Sequence, residues 1–238
     1  PEIDGAQVLR ELTETHTAFQ DLAGFIYKRP MSQALYTMAV DNLSSGLCYG
    51  LTWTMAAALK NQGESAADRF AQRLYEAAEY PQARAAVLTQ TVLKALHQYA
   101  NSIYRKKMEE ASDTKKYTLA EIVARIEEIT DTQMYELNTV KHAMMVGVLK
   151  NDTQRRFYFY DPNAGIAAYS SSAELHTALN RYLNEERLSE YQPFTQTNSE
   201  SATNIQKFEF ERIDTQAVAK LKFEVAVDDP NFYNPALT

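Results

Sequence analysis

Thiol is almost absent from this chain, for Cys48 is its only cysteine. One cysteine excludes an internal disulfide, and with it the cross-linked framework on which small secreted domains depend. A lone thiol suits a reducing compartment such as a cytosol. Glycine and proline are scarce, seven of each in 238 residues, which excludes collagen-like and low-complexity structure. No apolar run reaches the roughly 18 residues that cross a bilayer, so no integral membrane segment is expected. No signal peptide is legible at the start. Positive charge is thin as well: 24 Lys and Arg stand against 31 Asp and Glu, a net charge of −7. Without a basic block there is no footprint for nucleic acid. Cysteine and histidine never fall at metal-ligand spacings such as Cys-x-x-Cys or His-Glu-x-x-His, and no glycine-rich phosphate loop occurs. No metal or other cofactor is expected. The chain opens on Pro1-Glu2 rather than on methionine. That start predicts a segment cut or processed from a longer polypeptide.

What is present is apolar material, 45 % of the residues, enough for a sizeable core. The first half reads as helical. Apolar positions at Val8, Leu9, Leu12, Phe19, Leu22 and Phe25 predict a helix from about Ala6 to Tyr27, interrupted by Pro30. Further helices are expected over Ser32 to Asn42, from Cys48 to Leu59, over Glu64 to Glu79, and from Gln82 to about Glu110. Thr118-x-x-Glu121 is a capping box and opens a helix through Ile129. After residue 132 β-branched and aromatic residues dominate, and Val140 to Lys150 and Arg155 to Tyr160 read as strands. Ser171-x-x-Glu174 opens a helix to about Leu188, and Gln192 to Thr203 reads as a loop. Ile205 to Ile213 and Leu221 to Val227 read as two last strands. The pattern predicts a single α+β domain over residues 1–238. Its helical part spans about 1–130 and packs on an antiparallel sheet over about 132–228.

Three residues stand out chemically. Cys48 lies in Ser45-Gly46-Leu47-Cys48-Tyr49-Gly50, at the head of an apolar helical run. A thiol at a helix N-terminus feels the positive end of the macrodipole, which favours the thiolate. Flanking glycines leave room for a substrate backbone. His142 and Asp161 follow far downstream on the two predicted strands. If Asn151-Asp152 forms a two-residue hairpin loop, Lys150 opposes Thr153 and His142 directly faces Asp161. A four-residue loop from Asn151 to Gln154 would leave the pair diagonal. Facing Cβ atoms lie about 4.5–5.5 Å apart, close enough for the carboxylate to orient the imidazole. Asn42, six residues before Cys48, is a candidate oxyanion donor beside the Cys48 backbone N–H, or a helix-ending residue.

Each residue alone has an ordinary explanation: a small core cysteine, a strand histidine, a turn aspartate. Their order and company favour a triad, with Cys48 as nucleophile, His142 as base and Asp161 as orienter. His16, His97 and His176 lack such company: the first two read as surface or helix-packing residues, and His176 lies in the first turns of a predicted helix.

The segments Gly46-Leu47-Cys48-Tyr49-Gly50-Leu51, His142-Ala143-Met144 with Gly147, and Tyr160-Asp161-Pro162-Asn163-Ala164-Gly165 resemble those of the YopT-like cysteine proteases of bacterial toxins and effectors. That family is a branch of the papain-like fold, and its lymphostatin-type and multidomain toxin members look most similar. The likeness covers about residues 40–170. It implies a papain-like catalytic domain of a larger toxin, secreted by a bacterium and acting in the host cytosol. The implied partners are host protein substrates and other domains of the parent toxin, whose own chain is a further possible substrate. Related toxin domains are glutamine deamidases that pass through the same thioester. Two alternatives to a protease therefore stand at this point: a deamidase, and a non-catalytic interaction module that keeps the shell.

Overall fold

The computed structural model of the chain describes residues 5–35, 48–79 and 115–216. The expected helix over 82–110, the strand over 221–227, Asn42 and His97 lie outside the described residues. The elements in chain order are α1 (Gly5–Gln20), β1 (Tyr27–Pro30), α2 (Cys48–Gln62), α3 (Glu64–Glu79), β2 (Lys116–Tyr117) and α4 (Leu119–Glu128). There follow β3 (Gln133–Asn138), β4 (Ala143–Asn151), β5 (Gln154–Asp161), β6 (Gly165–Tyr169), α5 (Ser172–Tyr182), α6 (Glu185–Tyr191), β7 (Phe194–Asn198) and β8 (Thr203–Arg212). The strands form an eight-stranded sheet in the order β1-β6-β5-β4-β3-β8-β2, with β7 paired to β8. Every pairing is antiparallel. The α+β class read from the sequence is the class observed.

Several local signals act as expected. Thr118 and Glu121 form the reciprocal capping box of α4. Ser171 caps α5 by accepting from the Glu174 N–H, while the Glu174 carboxylate takes the Ser170 hydroxyl instead. The helix expected to run from Ser171 to about Leu188 is two helices, because Asn184 starts a second one by capping the Arg187 N–H. α1 stops seven residues before the expected end at Tyr27. The chain instead turns through Gly24, at φ +78°, and enters β1. Pro30 is the last residue of that strand, at the sheet's edge, where its missing N–H removes no ladder bond. The segment expected to be a loop over 192–203 contains β7.

The sheet is covered on both faces, not on one. Met145, Leu149, Tyr158, Tyr160 and Ile166 pack with α2 and α3. Met144, Val146, Val148, Phe157 and Phe159 pack with α4, α5 and Phe19 of α1. This double burial explains why Ala143 to Leu149 is an unbroken apolar run and not an alternating one.

A tight turn at residues 161–165 joins β5 to β6 and lies against residues 29–33. Gly165 sits at φ +144°, and a Cβ there would be 2.3 Å from the Arg29 carbonyl oxygen. Gly165→Ala combines a disfavoured backbone with a steric clash, and is expected to cost about 3 kcal/mol. Urea unfolding checks this through a lower midpoint at an unchanged slope.

Candidate active site

Cys48 is the first described residue of α2 and is partly exposed. Its helix lies along β4, and Thr52 of the first turns donates to the Ala143 carbonyl across 3.4 Å. The backbone N–H groups of Ala143 and Tyr49 point at the sulfur, as does the His142 imidazole. Tyr49 in turn accepts from Asn138 Nδ2 at 3.0 Å, tying the helix start to the end of β3.

His142 lies in the turn between β3 and β4. Thr139 shapes that turn: its N–H donates to the His142 carbonyl at 2.9 Å, and its hydroxyl accepts from the His142 N–H at 3.1 Å. The imidazole is buried, and its Nε2 meets Asp161 Oδ1 at 2.7 Å. That leaves Nδ1 for the thiol.

Asp161 is the last residue of β5 and is 0 % exposed. Four donors surround it. His142 Nε2 and the Asn163 N–H, at 2.9 Å, reach Oδ1, and the hydroxyls of Tyr182 and Tyr191 reach Oδ2 at 2.6 Å each. Asn163 also donates to Tyr191 and accepts from Gln33 Nε2 at 2.7 Å, so residues 31–35 are pinned to the same turn.

The hairpin register differs from the expected one. The turn is Asp152-Thr153, with Asn151 opposite Gln154 and Lys150 opposite Arg155. Asp152 takes the left-handed position at φ 50°, which an aspartate tolerates. Moving the turn by one residue moves the pairing by two. Continuing the register puts Asp161 opposite Met144, so it does not directly face His142. The two residues meet diagonally. A shift of two keeps every side chain on its own face, and diagonal Cβ atoms about 7–8 Å apart remain within reach of long side chains. Asp161 continues the alternation of Phe157 and Phe159, while α2 packs on the opposite face. His142 sits beyond the end of β4, where it touches both.

These contacts set the charges. Burial pushes the Cys48 thiol up, but the hydrogen bond and charge of His142, with two backbone N–H groups, outweigh it, and the thiol ends below its ordinary value. Burial pulls His142 down. The Asp161 carboxylate and Cys48 overcome this and hold it at about 10. Burial also opposes ionisation of Asp161, and His142 and the two tyrosines reverse that, leaving it below the usual carboxylate range. A thiolate beside an imidazolium is the form these shifts favour, and it is a nucleophile paired with a proton donor.

Of the residues expected from sequence, the structure brings Cys48, His142 and Asp161 together. His16 is exposed and His176 half-buried, neither in the site. Sequence reasoning missed Gln33, Thr139, Tyr182 and Tyr191. A signal existed for the tyrosines, because an aspartate ending a buried aromatic strand must find donors. Nothing chose two from the 15 tyrosines present. Among the described residues no group of three or more His, Cys, Asp or Glu side chains is placed to hold a metal ion, and no helix is long and apolar enough to cross a membrane.

The sequence matches the model of the Mcf1 protease effector domain over residues 3–236. The chain belongs to that family. The fold of the effector domain is similar to the crystal structure of PatoxP, a cysteine protease-like domain of the Photorhabdus asymbiotica toxin PaTox. The TM-score is 0.60 at 13 % identity, over 94 % of this chain and 66 % of that one. The effector domain thus spans just under two thirds of its structural neighbour. No curated protein is significantly similar to it in sequence.

Proposed function

We propose that this effector domain is a thiol protease. Cys48 attacks an amide carbonyl, forming a C–S bond. His142 gives its proton to the departing amine as the C–N bond breaks. Water then hydrolyses the thioester and restores the thiol, with His142 taking a proton from the water. Asp161 orients the imidazole and balances its charge. The Cys48 backbone N–H and Asn42 are the donors this reading assigns to the oxyanion. The observation that carries this reading is the run of contacts from Cys48 through His142 to a fully buried Asp161. Family membership and the motif likeness to YopT-like toxin proteases, lymphostatin-type ones included, support a setting in which the domain is a module of a larger secreted toxin. It would act there on host cytosolic proteins or on its own chain.

Thiol reactivity tests the site. Cys48 is the only cysteine, so iodoacetamide labelling reports on it alone. Labelling is expected to be fast in mildly acidic buffer and about tenfold slower or more in His142→Ala, as a thiol with a lowered value returns towards the ordinary one. Equal, slow labelling of both proteins would show that no imidazole activates the thiol. Mass spectrometry of a treated host lysate then reads the reaction. New peptide termini support a protease, conversion of glutamine to glutamate identifies a deamidase, and no change leaves an interaction module.

A further inference from the structure

The hydrogen bond from Asp161 to His142 is made by Oδ1 and leaves Oδ2 for other donors. Oδ2 is held by two phenols from α5 and α6, elements outside every motif that points to the site. Both hydroxyls lie 2.6 Å from it, in the range of hydrogen bonds to an ionised acceptor. Tyr191 does more than donate. Its ring lies against the imidazole, with centroids 4.2 Å apart and planes 32° from parallel. Its carbonyl accepts from the Lys141 N–H at 3.1 Å and from the Thr139 hydroxyl, so it also fixes the turn that carries His142. One residue thus holds the imidazole's face, its backbone and its counter-charge.

We propose that Tyr182 and Tyr191 are positioning residues for this site: their hydroxyls keep Asp161 ionised, Tyr191 sets the plane of His142, and the acidity of the Cys48 thiol depends on both. This rests on the proposed triad. A carboxylate fully out of water is driven towards its neutral form unless donors favour the charged one. The titratable groups facing this carboxylate are His142, Tyr182, Tyr191 and the neighbouring Tyr160, with Cys48 beyond the imidazole. Tyr182 and Tyr191 are themselves held protonated by burial and by Asp161, so they remain donors wherever the site works. Without them Asp161 takes up a proton at higher pH. The imidazolium then loses its counter-ion, and the thiolate loses the imidazolium.

Iodoacetamide labelling across pH separates this from a packing role. The proteins are wild type, His142→Ala, Tyr182→Phe, Tyr191→Phe and the double Phe variant, which keeps both rings and removes both hydroxyls. The midpoint of labelling is expected to rise by about one pH unit or more in the double variant. That is about a tenfold loss of rate in mildly acidic buffer, with an unchanged rate in alkaline buffer. Each single variant falls between. Thermal melting is recorded for all five. If the double variant does not fold, the singles decide, since each must move the midpoint upward. Slow labelling of His142→Ala beside a wild-type profile in the Phe variants overturns the tyrosine proposal and leaves the triad standing. Equal labelling of wild type and His142→Ala overturns both.

Discussion

Cys48→Ala is expected to abolish every protein change that the domain makes in a host lysate. Removing a triad nucleophile lowers turnover by on the order of 10⁴-fold or more, because base and orienter have nothing left to activate. The fold should be indifferent. The residue is partly exposed at the start of the described part of α2, and the helix is held by Leu51, Met55 and Leu59, which pack into the core. An inactive Cys48→Ala protein that melts with wild type is therefore the expected pair of results. Peptide termini that persist in the variant would remove Cys48 from the chemistry altogether.

Asp161→Ala is expected to be the most destabilising single change, at about 3–5 kcal/mol. It leaves two tyrosine hydroxyls, the Asn163 N–H and the His142 ring buried without their acceptor. The pH dependence has a definite sign. Asp161 lies below the ordinary carboxylate value of 3.8 in the folded chain, so its contribution is present above about pH 4 and is lost as pH falls through the folded value. His142 is raised from 6.5 to about 10, so its contribution is complete below about pH 6.5 and is lost as pH rises towards 10. Wild type is expected to be most stable between about pH 4 and about pH 6.5 as far as this pair decides it. In Asp161→Ala that dependence flattens. Urea midpoints measured across the range check both the size and the shape, and a variant that keeps the wild-type curve would place the origin of the pH dependence elsewhere.

The parts of the site that were legible in the sequence are those with local grammar. The capping box of α4, the Ser171 cap of α5, the helix that carries Cys48, and the strands that carry Val146 and Phe159 all follow from spacing and propensity. The hairpin shows where that grammar ends. Asn151-Asp152 and Asp152-Thr153 are both acceptable turns, and choosing between them moves the register by two without exposing any core side chain. The hydrophobic pattern is blind to such a shift. β1 was missed for another reason. Tyr27 to Pro30 carries no strand pattern of its own and becomes a strand by pairing with β6, where Gly165 gives it room. Tyr182 and Tyr191 were invisible because their partner, Asp161, is brought to them by tertiary packing alone.

The edge pairing of β1 with β6 also bears on folding order. Tyr27 bonds alongside Ala168, and Thr52 reaches Ala143, 91 residues away in sequence. Contacts of such long range close late, because the intervening chain must first give up its freedom. The β4–β5 hairpin is local and can form by itself. When the chain is delivered from its N-terminus, as in synthesis, the thiol therefore emerges well before the strands that would sharpen it. Until the sheet closes, Cys48 has no His142 or Ala143 beside it and keeps the chemistry of an ordinary cysteine, so on the proposed triad a partly made chain carries no armed nucleophile.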